Sequence, residues 1–310
     1  MIAKKLVDQF AYNSRVGRDV AERDIVLSYV LKVLEKARLL NDLAFKGGTC
    51  LRKTLFGGGG RFSMDLDFTG LRHSPDDWEA RVGKLFEGQT HYDISFRASA
   101  WRPEHTGGAL SYGCDIGYYH AWNSDTLKLE ISMRERPVLE PTSSELLEES
   151  YWKFMEFGPF PVPRLRSEEL LAEKIRAALE RTRSRDLFDL FLFAGRPYDR
   201  QLARGLAVEK AWNARLPFDP DRLIGKFERE EYDWEDLETL VPAGRLPPRR
   251  VLVRTVVEGY SYLRDLDHEL RLIANDARRH RLRDKVEQLR RSLRITTRGS
   301  AGGNPRGGME

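Results

Sequence analysis

Between Val20 and Leu40 the apolar residues Ile25, Leu27, Val30, Leu31, Val33 and Leu34 recur at helical intervals and predict an amphipathic helix. The short run Leu43–Phe45, closed by Lys46 and Gly47, predicts a strand entering a turn. Thr49–Phe56 is expected to be a short helix, and the four glycines Gly57–Gly60 a tight or flexible loop. Phe62, Leu66 and Phe68 then predict a second strand that carries Asp65 and Asp67 on its other face. A helix is expected over 75–90, and strands over 92–101, 110–119 and 126–133, ending at Pro137 and Pro141. The Pro-punctuated stretch 158–166 is the expected domain boundary. Beyond it, 167–193 predicts one helix with Ser167 as N-cap and Glu168 and Glu169 in its first turn. Breaks follow at Gly195–Pro197 and Pro242–Pro248, then one long, kinked helix over 249–293. The expected architecture is α+β: a mixed β-sheet core flanked by helices over 1–157, a mostly helical C-terminal domain over 158–298, and a Gly-rich, disordered tail over 299–310.

Charge adds a polarity that the pattern does not show. The chain has 310 residues and a net charge of +4, but 244–298 holds 15 Lys and Arg against 7 Asp and Glu. The body before that arm is therefore acidic, with a basic arm behind it. A charged fraction of 32% and the lack of any run near the ~20 apolar residues of a membrane span exclude a membrane protein. Cys50 and Cys114 cannot build a disulfide framework or a four-cysteine zinc site. The opening MIAKKLVDQFAYNSRV has its apolar stretch interrupted by Asp8 and Gln9, so a cytoplasmic protein is expected.

The chemistry concentrates in 45–68, FKGGTCLRKTLFGGGGRFSMDLDF. Gly47-Gly48-Thr49 opens a helix, whose first N–H groups and dipole suit a phosphate. Asp65 and Asp67 alternate on a strand and so point the same way. Two carboxylates so close repel each other unless a hard divalent cation lies between them, and Mg²⁺ is commonly held by one or two carboxylates plus substrate phosphates. Taken singly, a Gly pair is an ordinary turn and an Asp-x-Asp a solvated strand face. Their occurrence across one helix is what points to metal-assisted nucleotidyl transfer. The six histidines show no paired ligand spacing, and no G-x-S-x-G, Walker A or Rossmann fingerprint is present.

Gly47-Gly48-Thr49 followed by Arg61-x-Ser63-x-Asp65-x-Asp67-Phe68 resembles the signature of the AbiEii/MenT nucleotidyltransferase toxins, of the DNA polymerase β-like nucleotidyltransferase superfamily. Glu22-x-Asp24 with its leucine-rich continuation is similar to the same family's N-terminal region. So is Ala172-Glu173-Lys174-Ile175, followed after nine intervening residues by Arg185-Asp186-Leu187-Phe188-Asp189-Leu190. The resemblance covers most of 20–193, and nothing is carried over beyond Pro197. It implies an Mg²⁺ (or Mn²⁺) site of Asp65, Asp67 and Glu130, and a catalytic set completed by Lys174 and Asp189. An NTP site of Lys46, Gly47, Gly48, Thr49, Arg61, Ser63, Lys174, Arg185 and Asp186 follows from it too.

Some of these residues have a plainer reading. Glu130 is also the polar face of an alternating strand, with Lys128 as its partner. Lys174 and Asp189, fifteen residues apart, share one face of the predicted helix and also fit a salt-bridged surface. The resemblance further implies that Ser63 can be blocked by phosphorylation, which would add about −1.5 to −2 charge beside two aspartates. Arg278, Arg279, Arg281 and Arg283 in the basic arm suit an RNA acceptor, with tRNA 3′ ends favoured by the resemblance. A separate antitoxin is the implied protein partner. Two other readings stand beside this one: a nucleotide- or RNA-binding protein without turnover, and a nucleotidyltransferase that modifies proteins.

Overall fold

The computed structural model describes residues 2–72, 74–106, 109–229 and 232–300. Of the tail expected to be disordered over 299–310, residues 301–310 lie outside them, while 299 and 300 are helical. Two N-terminal helices, α1 (Lys4–Ser14) and α2 (Arg18–Lys36), lead into β1 (Leu43–Lys46) and the short α3 (Gly47–Leu51). After β2 (Asp65–Gly70) come α4 (Pro75–Phe86), β3 (Thr90–His91), β4 (Ile94–Ala98), β5 (Arg102–Thr106), β6 (Ala109–His120) and β7 (Asn123–Ser132). β8 (Thr142–Glu145) and β9 (Pro161–Arg164) complete a single mixed sheet of order β3-β4-β6-β7-β2-β1-β9-β8, with β5 paired to β6.

The rest is helical: α5 (Ser167–Glu180), α6 (Ser184–Ala194), α7 (Arg200–Asn213), α8 (Pro220–Glu228), α9 (Trp234–Leu240), α10 (Arg249–Tyr260), α11 (His268–Asp276) and α12 (Arg283–Ser300). The α+β class expected from the sequence is observed. No helix among the described residues is long and apolar enough to cross a membrane.

β2 lies mid-sheet, antiparallel to β1 and parallel to β7. Its Leu66 and Phe68 are fully buried, Phe68 stacking on Phe45 at 5.1 Å, while Asp65 and Asp67 face the other way. α2 is buried on most of its circumference rather than along one stripe. Its two buried carboxylates are both met: Asp24 receives Arg52 at 3.3 Å, Lys53 at 3.2 Å and the Tyr151 hydroxyl at 3.0 Å. Glu22 accepts from Asn123 at 2.9 Å and lies 3.0 Å from His120. The Glu22-x-Asp24 pair therefore ties α2 to its neighbours and stays out of the cleft described below. The four-glycine segment is a tight turn: Arg52 donates to the Gly57 carbonyl at 2.9 Å and Arg245 to that of Gly58 at 2.6 Å. Gly57, at φ +51°, uses the left-handed backbone that glycine alone adopts easily.

Four expectations are corrected. The second strand begins at Asp65, leaving Phe62 and Ser63 in an irregular segment fixed by Phe62 N–H donating to the Leu240 carbonyl at 2.8 Å. The stretch 158–166 is no free linker, because Pro161–Arg164 is a strand of the same sheet, paired to β8 and at Phe45–Arg164 to β1. The helix 167–193 is broken at Arg181–Arg183, and Ser167 is its first helical residue rather than its cap. The long helix 249–293 is broken twice, the second time where Asp276 accepts from Leu282 N–H (2.8 Å) and Trp212 Nε1 (3.1 Å).

Buried charge ties α7 to α12. Glu209 on α7 accepts from Asn213 at 2.7 Å and from Arg290 at 2.6 Å. Burial, with Glu135 nearby, pushes its carboxyl up to about 7. The folded chain thus holds this proton more tightly than the unfolded one. The stability linked to it is whole below about 4.5 and is lost as pH rises to about 7. Glu209→Gln should match the parent near pH 4 and exceed it by roughly 1–3 kcal/mol at pH 8. Urea melts across that range test this; parallel curves for the two proteins would refute it.

Candidate active site

A cleft of about 340 Å³ opens between the β1–β2–β7 face of the sheet and helices α5 and α6. Register builds its floor. Asp67 lies between Lys46 on β1 and Glu130 on β7, and Asp65 beside Lys128. Alternation on a strand turns both aspartates into the cleft, as the sequence predicts. Gly47 has φ +76°, and a Cβ there would sit 2.0 Å from Asp67 Oδ2; one on Gly48 would sit 2.7 Å from Arg61 Nη2 and from Ser63 Oγ. The two glycines are therefore needed so that the backbone can lie against the carboxylate and the Arg61–Ser63 segment. Thr49, expected to touch nucleotide, is buried outside the cleft lining, and its Oγ1 donates to the Asp65 carbonyl at 2.5 Å, fixing α3 to β2.

Negative charge on the floor is under-compensated. Burial, then Glu130 and Asp65, push the Asp67 carboxyl up to about 6, and burial raises Asp65 as well. Glu130 lines the cleft, but its carboxylate lies 3.4 Å from Lys128 Nζ, the plainer partner named from the sequence. Among the described residues no three acidic, cysteine or histidine side chains close on one point as a metal cage. Two adjacent carboxylates with unmet charge nevertheless fit a divalent cation that draws its other ligands from substrate phosphate and water.

The opposite wall is cationic and rigid. Arg61 grips Asp189 with two hydrogen bonds, at 2.9 and 2.8 Å. Lys174 reaches Asp189 at 2.7 Å and Asp186 at 3.1 Å, and Arg181 meets Asp186 at 2.8 Å. Although burial alone would raise it, Lys174 and Arg181 hold the Asp186 carboxyl far below the usual range. Lys174 itself is desolvated, yet Asp189 and Asp186 outweigh that and keep it protonated. The Lys174–Asp189 meeting depends on the break between α5 and α6. On one continuous helix, fifteen residues would stand about 22 Å apart, four turns and out of reach. Asp189 does not itself line the cleft; it positions Arg61 and Lys174. Arg185 lines it and pairs with Asp236 at 2.7 Å.

Of the sequence-predicted set, Lys46, Gly47, Gly48, Arg61, Ser63, Asp65, Asp67, Glu130, Lys174, Arg185 and Asp186 share this cleft. Arg278, Arg279, Arg281 and Arg283 do not: they are exposed, on the turn before α12 and at its start. Arg134, Glu173, Arg176 and Glu180 line the cleft without having been singled out. Glu173, Ala177 and Glu180 follow a helical i, i+4, i+7 spacing that marks them as one face, whereas nothing local marks Arg134. Cys50 is buried and its thiol is pushed up to about 12, so it is no nucleophile.

Comparisons with known proteins bear on the fold and the family of the chain. MenT4, a nucleotidyltransferase toxin from Mycobacterium tuberculosis H37Rv, superposes with a TM-score of 0.81 at 26% identity, over 95% of this chain and 100% of that one. JHP933 from Helicobacter pylori is a more distant likeness, with a TM-score of 0.45 at 20% identity over 91% of this chain and 99% of that one. No curated protein matches. The family model described as nucleotidyl transferase AbiEii toxin, type IV toxin–antitoxin system, matches residues 29–292. With most of its length inside that match, the chain belongs to the AbiEii nucleotidyltransferase toxin family.

Proposed function

We propose that this toxin nucleotidyltransferase moves a nucleotide from an NTP to an RNA acceptor with Mg²⁺ or Mn²⁺, a tRNA 3′ end being the favoured acceptor. The observation that carries the reading is the charge layout of the cleft, where nine Lys and Arg and six Asp and Glu line one cavity. Its cationic wall faces a carboxylate floor. Such a cavity takes a polyphosphate on one side and a cation on the other.

Asp65 and Asp67 would hold the ion, with Glu130 beside them on the cleft floor. When bound, it supplies Lewis-acid polarisation of the phosphate under transfer. Lys174, kept protonated, and Arg181 bind the polyphosphate and offset charge on the leaving group. Arg61, Ser63 and Arg185 face the same cavity and orient the nucleotide. Phosphorylation of Ser63 would place about −1.5 to −2 charge against that floor and exclude both ion and nucleotide, a route open to an antitoxin. Family membership implies that such a partner exists.

Incubation with tRNA, labelled NTPs and Mg²⁺ should label the RNA, and failure to label any RNA would remove the RNA half of the proposal. The arginine-rich turn has its own test. Replacing Arg278, Arg279, Arg281 and Arg283 with Gln should lower tRNA affinity and flatten its dependence on log salt by roughly 2–4, about 0.7–0.9 per phosphate contact. An unchanged slope would place the acceptor elsewhere.

A further inference from the structure

We propose that Arg134 and Arg176 form a second phosphate-binding subsite in the cleft, separate from the Lys174–Arg181 wall. Arg134 lies two residues beyond the end of β7, Arg176 on α5, and both line the cavity. In each the guanidinium Nε is buried and meets no hydrogen-bond acceptor among the described residues. A desolvated donor left unmet is a penalty that folded proteins rarely accept. Here two occur together, in the cavity already suited to a polyanion.

The other cations of the cleft differ in this respect. Arg61, Lys174, Arg181 and Arg185 are each matched to an aspartate. Arg176 has its two terminal nitrogens held by Glu180 at 2.8 Å and Glu173 at 3.3 Å. That grip fixes the guanidinium plane and leaves its buried Nε–H unmet among the described residues. Arg134 is drawn toward it against charge: burial and the Arg176 cation both pull its guanidinium below the ordinary value. Two like charges held together and desolvated, each with a spare donor, suit an anion that can accept from both. A tetrahedral phosphate does so, and arginine is the side chain that grips one with directed hydrogen bonds.

The phosphate belongs either to the nucleotide or to the backbone of the acceptor RNA. This choice rests on the nucleotidyl-transfer reading, while the subsite itself does not. Arg134→Gln and Arg134→Lys should be compared with the parent for equilibrium binding of inorganic tripolyphosphate, of ATP with Mg²⁺, and of tRNA, all without turnover. Arg134→Gln should weaken at least one probe by about tenfold or more, and Arg134→Lys, with the charge but not the fork, should recover part of the loss. Loss in the ATP arm assigns the subsite to the nucleotide; loss with tRNA alone assigns it to the acceptor. A folded Arg134→Gln protein that binds all three probes within about twofold of the parent overturns the subsite. A parent that binds tripolyphosphate but neither ATP nor tRNA overturns the transferase reading instead, and the subsite then stands or falls on tripolyphosphate alone.

Discussion

Asp67→Asn should abolish nucleotidyl transfer, by about 10³-fold or more, while the metal-free protein melts at or above the temperature of the parent at pH 7.5. The two halves have one cause. Asp67 is a desolvated carboxylate crowded by Glu130 and Asp65, its carboxyl pushed up to about 6, so its charge at neutral pH is held at the expense of the fold. Asparagine keeps the shape and removes that repulsion. It also removes half of the pair that would hold the cation, worth several kcal/mol in a transition state that gathers charge on phosphate oxygens. A residue kept for packing would behave oppositely, its loss lowering the melting temperature and sparing turnover. Single-turnover label transfer beside a calorimetric melt separates the cases. An Asp67→Asn protein that transfers at even a tenth of the parental rate would remove the carboxylate pair from the mechanism.

Gly47 gives a companion result in the same assay. Alanine there would need a Cβ 2.0 Å from Asp67 Oδ2 and a backbone at φ +76°, so the carboxylate has to swing away. Loss of transfer is expected from this methyl group alone, without any change of charge.

How far the sequence exposes this site depends on whether the contacts that make it are local. Asp65 and Asp67 were legible because strand alternation is a two-residue rule, and the glycines because they lie next to the turn they form. β9 was not, since Pro161 and Pro163 remove two ladder donors and read as a linker. Its place in the sheet is set by pairing to β8 and to β1, far off in the chain. The break between α5 and α6 was invisible for the same kind of reason. Nothing in Arg181-Thr182-Arg183 forbids a helix, yet α6 starts where Ser184 N–H donates to Asp233 at 2.8 Å and Ser184 Oγ to the Asp233 carbonyl, also at 2.8 Å. A cap supplied from 49 residues away defeats any window of local propensity. The consequence falls on the site: face-sharing on one helix would not bring Lys174 to Asp189, and the two meet across the break instead. Arg134, outside every motif, carried no sequence signal at all.

Lys210→Met should destabilise the protein by about 3–5 kcal/mol, lowering its melting temperature by roughly 5–15 °C. Lys210 is 1% exposed, and its ammonium lies 3.0 Å from Glu135, 3.0 Å from Glu169 and 3.1 Å from Glu173. Glu169 is itself fully buried and accepts the Val138 and Leu139 N–H groups at 2.8 and 3.0 Å. Methionine fills much of the same volume but leaves these carboxylates facing one another without a cation, the situation in which breaking a buried pair is most damaging. Lys285→Met is the control: it removes an ion pair of similar length to Glu269, 2.5 Å, between side chains 37% and 58% exposed, where water and salt already screen most of the attraction. That loss should stay under about 1 kcal/mol. The contrast also bears on the cleft, because Glu173, which Lys210 holds, lines it beside Lys174 and grips Arg176. Lys210→Met should therefore weaken ATP binding even below its melting temperature, although Lys210 lies outside the cleft lining. A variant that melts within a degree of Lys285→Met would show that α7 is held by its apolar packing alone and that the buried lysine is dispensable.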